Sequence, residues 1–168
     1  MIRVLAARYY IVGRVRDTEE TLKEFMRISA IAGEHLSFSQ SCHSVEEAAR
    51  AAAASPEDFV KNICMIDSEG RLIVAIVKGE DRASTSRVEK ALGRGRPRLA
   101  TPEEILERTG YPCGGTPSFG FSATFLVDPK VMELDFLYTG GGSEYSLVKI
   151  SAQELLRANG GEVVRVRG

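Results

Sequence analysis

The stretch from Thr18 to Gly33 repeats its apolar residues at helical spacing: Leu22, Phe25, Met26 and Ser29 fall at i, i+3, i+4 and i+7, and Ala32 and Leu36 prolong the stripe. This predicts one long helix over residues 18–34 with a single face on the core. Three shorter segments carry helix-start chemistry. "SVEE" from Ser44, "TPEE" from Thr101 and "SAQE" from Ser151 each place a hydroxyl at the cap and glutamate three residues on, the sequence form of a capping box. Pro102 adds a residue suited to a first turn, and Gly110 and "NGG" supply stops.

Between these helices the period shortens to two. "VKNICMI" (60–66) and "RLIVAIVKG" (71–79) flank "DSEG" and predict an antiparallel hairpin. "FSATFLVD", "VMELDFLYT" and "YSLVKI" follow as strands, with "EVVRVR" as a terminal one. Short helices among such strands imply an α+β class with a curved mixed sheet, a partial barrel. The 168 residues are read as one domain.

Composition narrows the setting. The longest clean apolar run, "LIVAIV", is far shorter than the roughly 20 residues that span a bilayer. The apolar start is broken by Arg3 and Arg8, unlike a signal peptide, so a cytoplasmic protein with no membrane partner is expected. Cys42, Cys64 and Cys113 form no CxxC, and together with His35 and His43 they lack metal-ligand spacing; neither a metal nor another cofactor is implied. Net charge is −1, but Arg3, Arg8, Arg14 and Arg16 cluster, as do Arg82, Arg87, Lys90, Arg94, Arg96 and Arg98. Each patch reads either as a solvated face or as a surface that tracks phosphates.

Two features carry candidate chemistry. "TGYPCGGTPSFGF" (109–121) holds four glycines and two prolines. It is not a phosphate loop, because Phe121 stands where lysine would be required, and "GRGR" lacks the glycine at 98 that a dinucleotide fingerprint needs. Two histidines and no G-x-S-x-G leave no nucleophilic triad. The loop is either a tight corner from helix to strand or a rigid cradle whose backbone N–H groups meet an anion or oxyanion. The second feature is Lys61. Alternation puts it with Ile63 and Met65 on one face of a central strand and Val60, Asn62, Cys64 and Ile66 on the other. Such a lysine either snorkels outward along its stem or occupies a pocket that neutralises its charge.

These features occur together in "SPEDFVKNICMIDSEGRLIVAIVKGEDR", then a helix and "ALG", then "LATPEEILERTGYPCGGTPSFGF" and "FLVDPKVMELDFLYTGGG". The run, roughly residues 37–166, resembles the YbaK and ProRS-associated domain family, which is similar to the editing domain of bacterial prolyl-tRNA synthetases. The resemblance implies a free-standing hydrolase that deacylates mischarged tRNA in trans. Its substrate would be tRNA(Pro) carrying alanine, cysteine or serine, and a prolyl-tRNA synthetase is a possible partner. The alternative is a non-catalytic module that binds the aminoacylated tRNA end or a nucleotide-like ligand.

Carried over, Lys61 takes the place of the lysine needed for deacylation, with Gly114 and Gly115 beside it as catalytic loop residues. Thr116, Pro117, Ser118 and Gly120 continue the substrate-binding loop, and Gly140, Gly141 and Gly142 form a second glycine turn. Ser118 replaces a proline of many relatives and would add a hydroxyl to the pocket. A histidine that several relatives carry on the late strand has no counterpart in "GGGSEYSLV". Residues 1–16 are an addition to the usual family start, expected to pack as an extra element or to touch tRNA.

Overall fold

A computed structural model describes residues 18–168, so the basic segment 1–16 lies outside the described residues. Helix α1 covers residues 18–28 and buries Leu22 and Met26. It stops six residues short of the expected end. Ile31 N donates to Met26 O, and Ala30 takes a left-handed φ of 50°, so the chain turns and enters strand β1, Gly33–Ser37. Leu36, the last member of the helical stripe, therefore packs from a strand.

The other helices begin where their caps predict. In α2 (Val45–Ala52) and α4 (Pro102–Thr109) the cap hydroxyl and the returning glutamate both bond, as a capping box requires. α5 (Ala152–Asn159) keeps only half of the motif. Ser151 caps it, but the Glu154 carboxylate accepts from Ala32 N at 3.1 Å and from Arg157, tying this helix to the turn after α1. α3 (Thr85–Leu92) is capped by Ser84.

The mixed α+β architecture is present, with its strands divided between two sheets. The hairpin β2 (Val60–Ile66) and β3 (Leu72–Lys78) pairs Val60 with Lys78 through Ile66 with Leu72. Its turn is held by Asp67, whose buried carboxylate accepts from the amides of Glu69 and Arg71 and from Arg71 Nε. β4 (Arg98–Leu99) adds to the far end of β2, while β5 (Thr124–Val127) and β8 (Glu162–Val163) extend the sheet beyond β3 in parallel. The second sheet is antiparallel, in the order β1-β7-β6, with β6 at Phe136–Gly140 and β7 at Ser146–Ser151. Among the described residues, a parallel bridge from Phe59 to Tyr138 connects the two.

Three strand expectations are shortened, and of "FSATFLVD" only β5 is a strand. Residues 131–133 make a 3-10 turn before β6, and the expected terminal strand forms a ladder only over β8, with an isolated antiparallel bridge from Arg167 to Ala83. Beyond β8 the chain is gathered by Asp128, which is fully buried and accepts from Val166 N, Arg167 N and the Arg167 guanidinium.

The main core lies between the larger sheet and α1, α4 and α5, including Leu22, Val74, Ile105, Phe119 and Leu155. α3 covers the opposite face through Val88, against Met65, Ile73 and Val77. α2 closes a third, smaller cluster at the junction of the sheets, where Phe59 stacks on Tyr138 at 4.8 Å. Because β4 reaches only Met65 and Ile66, the start of β2 is left open on that side. The site described next occupies this opening.

Candidate active site

Strand β2 leaves α2 through a short 3-10 turn and carries Lys61 and Asn62 into a cavity of about 240 Å³. The alternation read from the sequence is kept: Val60 and Cys64 face the main core, and Ile63 and Met65 pack toward α3. Lys61 lines the cavity and has no carboxylate partner among the described residues. On the apolar side, Val45, Phe59, Tyr138 and Leu147 supply a surface for a small side chain.

The opposite wall is the glycine loop. Gly114 and Thr116 reach the cavity, as does Gly140 from the end of β6. Pro112 O accepts from both Gly115 N and Thr116 Oγ1 at 3.0 Å, closing a tight turn. The Gly114 and Thr116 amides have no hydrogen-bond partner among the described residues. They are therefore donors open to a ligand, whereas the Gly115 amide is already committed.

Gly115, Gly140, Gly141 and Gly142 serve close backbone approach. A Cβ at Gly140 would lie 2.2 Å from Thr116 O, and one at Gly115 would lie 2.5 Å from the Ser143 carbonyl carbon. Gly142 N donates to Gly115 O at 2.8 Å, and His35 Nε2 meets Gly141 O at 2.7 Å. The two glycine turns thus interlock main chain to main chain. Gly120, with φ of 97°, turns the chain beneath α1 beside Leu22 and Phe25. Pro117 and Ser118 are buried behind this wall.

The Ser118 hydroxyl is engaged in a closed network. It donates to Asn62 Oδ1 at 2.6 Å and lies 2.7 Å from Thr139 Oγ1; Asn62 Nδ2 donates to both Thr139 Oγ1 and Thr116 O at 2.9 Å. Since Thr116 O can only accept, the Asn62 amide orientation is determined, and Thr139 must donate to Ser118. Asn159 Nδ2 adds a bond to Ser118 O from α5. Ser118 and Thr139 are both essentially inaccessible, so this network holds the loop from behind.

Sequence reasoning missed Asn62 and Thr139, although an asparagine on an otherwise apolar strand face was a usable signal, because it needs buried partners. It also missed His43, which borders the cavity with Cys42 and Cys113. Burial, reinforced by Glu47, pushes the Cys42 thiol up to about 11, and burial pushes Cys64 up to about 12. Both stay protonated near neutrality and offer no thiolate. Among the described residues, no group of three metal-ligating side chains converges and no helix is long and apolar enough to cross a membrane.

Comparison with known proteins agrees with this geometry. A prolyl-tRNA ligase of Thermotoga neapolitana is 26% identical over 97 residues, which are 58% of this chain but only 17% of the ligase. YwhH of Bacillus subtilis, whose name carries no function, is 23% identical over 120 residues, covering 70% of this chain and 76% of YwhH. The hypothetical protein APE2540 superposes with a TM-score of 0.81 at 27% identity, over 88% of this chain and 99% of its own. A solved structure assigned as a candidate trans-editing enzyme for prolyl-tRNA synthetase gives 0.82 at 23% identity, over 90% of this chain and 97% of its own, and so shares the fold. The family profile for the aminoacyl-tRNA editing domain matches residues 39–158, a span that contains the open lysine, the loop and the network behind it; the chain belongs to the aminoacyl-tRNA editing domain family.

Proposed function

We propose that this protein is an aminoacyl-tRNA deacylase that acts in trans on mischarged tRNA, with tRNA(Pro) bearing alanine, cysteine or serine as its substrate. The observation that carries this reading is the pairing of a lysine without a carboxylate partner and two open backbone amides across one small cavity. A cation and fixed N–H donors suit an ester next to a phosphodiester end. Lys61 holds the terminal adenosine through its phosphate or ribose, and the Gly114 and Thr116 amides meet the oxygen that becomes negative as the carbonyl turns tetrahedral.

Because these amides sit on a loop braced by Asn62, Ser118 and Thr139, little reorganisation is needed at the moment of attack. Donors of this kind contribute about 2.7 to 4 kcal/mol each to the transition state. Selection among amino acids falls to the apolar side of the cavity, where Val45, Phe59, Tyr138 and Leu147 form the surface that meets the side chain of the charged amino acid.

The test is deacylation of tRNA(Pro) charged in turn with alanine, cysteine, serine and proline. Turnover of a mischarged species with proline spared, lost in Lys61→Ala, is the expected result. Intact esters in every case, with salt-sensitive tRNA binding retained, would make the protein a binding module instead.

A further inference from the structure

Apart from Lys61, the titratable side chains that line the cavity are His43, Cys42, Cys113 and Tyr138, and His43 is the imidazole among them. His43, just before α2, lies against Gly114 so closely that a Cβ there would fall 2.3 Å from its Nδ1. The same Nδ1 faces Glu144 Oε1 at 3.1 Å. An ionised carboxylate only accepts, so Nδ1 carries the hydrogen and the neutral ring presents Nε2 as an acceptor. Nε2 has no partner among the described residues.

The pair is positioned by main chain. Cys42 N donates to Glu144 O at 2.6 Å, fixing the segment before His43 to the turn that carries Glu144. That turn is joined to the glycine loop through Gly142 N and Gly115 O at 2.8 Å. His43, Glu144 and the open Gly114 amide therefore belong to one clamp at the mouth of the cavity.

We propose that His43 is the general base and acid of the deacylation, oriented by Glu144. This rests on the deacylase reading above. Nε2 takes a proton from a water molecule as its oxygen bonds to the ester carbonyl carbon, and the carbonyl oxygen receives the electron pair facing the loop amides. When the tetrahedral species collapses, the bond to the ribose oxygen breaks and that oxygen takes the proton back from Nε2. The free ribose hydroxyl and the amino acid leave, and the acid proton passes to solvent. The neighbouring titratable groups are Glu47 and Glu144, Lys61 in the same cavity, and the thiols of Cys42 and Cys113.

Single-turnover deacylation between about pH 5 and about pH 8 tests the assignment, with the enzyme-free ester hydrolysis subtracted at each pH. The wild-type rate rises along a limb set by one group losing a proton. His43→Asn lowers the rate by about 10² to 10⁴-fold and abolishes the limb; Glu144→Gln, which weakens the contact that holds Nδ1, lowers the rate while retaining the limb. Free imidazole restores part of the rate to His43→Ala through the exposed mouth, which a merely structural role would not allow. A His43→Asn rate that keeps the wild-type limb, whether lowered or not, overturns the proposal while leaving the deacylase reading in place. Failure of the wild type to hydrolyse any charged tRNA overturns both.

Discussion

The two walls of the cavity are built by opposite means. On the loop side nearly every polar group behind the surface is saturated: Asn62, Ser118 and Thr139 satisfy one another, and the glycine turns touch through bare main chain. On the strand and mouth side, Lys61 lacks a carboxylate and His43 keeps a free ring nitrogen. A wall that must hold amides at fixed positions gains from over-determination, since small displacements weaken oriented donors. A wall that exchanges partners with a substrate must leave its groups open. Stability is therefore expected to reside in the first wall, which also fixes the two open amides, and the exchange of protons and of substrate contacts in the second.

The largest effect is expected at the backbone contact. Gly140→Ala places a methyl 2.2 Å from Thr116 O and 2.7 Å from its carbonyl carbon, atoms that cannot turn aside. It should cost about 3 kcal/mol or more and abolish deacylation, read by urea unfolding and by activity. A midpoint equal to that of wild type would show the loop to be softer than argued here.

Asp128 separates general stability from the site. Burial by itself would raise its carboxyl pKa, but the amides of Lys130, Val166 and Arg167 and the Arg167 guanidinium outweigh burial and hold it below the usual range. A depressed folded value gives stability that is present above the unfolded value of about 3.9 and is lost as pH falls toward the folded one. Asp128→Asn should cost about 3 kcal/mol near neutrality and flatten the acid limb of stability below about pH 4, while the folded fraction still deacylates. Loss of catalysis in the folded fraction would place this corner in the site.

Ser118→Ala comes next. It deprives Asn62 Oδ1 of its donor and Thr139 of its acceptor, costing about 1 to 3 kcal/mol by unfolding, with a lower deacylation rate as the loop loosens. Lys61→Ala is expected to change stability least, within about 0.5 kcal/mol, although deacylation disappears. A large stability loss there would mean that the lysine is structural and would erase the contrast between the walls.

Local chemistry was legible from the residues. The hairpin around "DSEG", the capping boxes of α2 and α4, and the alternation that sets Lys61 against Asn62 all depend on neighbours within a few positions. The helical stripe through Leu36 misled because its last members are apolar for another reason: β1 pairs with β7, more than a hundred residues later. The half-formed box at Ser151 has a similar cause, since Glu154 finds a better-placed donor in Ala32. In the site, Lys61 and the loop could be named from spacing, yet Ser118 turns out to hold the loop from behind, and nothing in "SCHSVEE" connects His43 with Glu144.

By itself the amino-acid order determined which segments become helices and strands, where most of them begin, and which residues carry a cation or permit bare backbone, because these follow from covalent structure and short-range hydrogen bonding. Only the tertiary structure decided which amides remain open, which hydroxyls are consumed, and that a histidine and a glutamate from distant turns meet beside Gly114. The physical reason is that buried polar groups take whichever partners close packing brings to them, and that choice is made across the whole fold rather than along the chain.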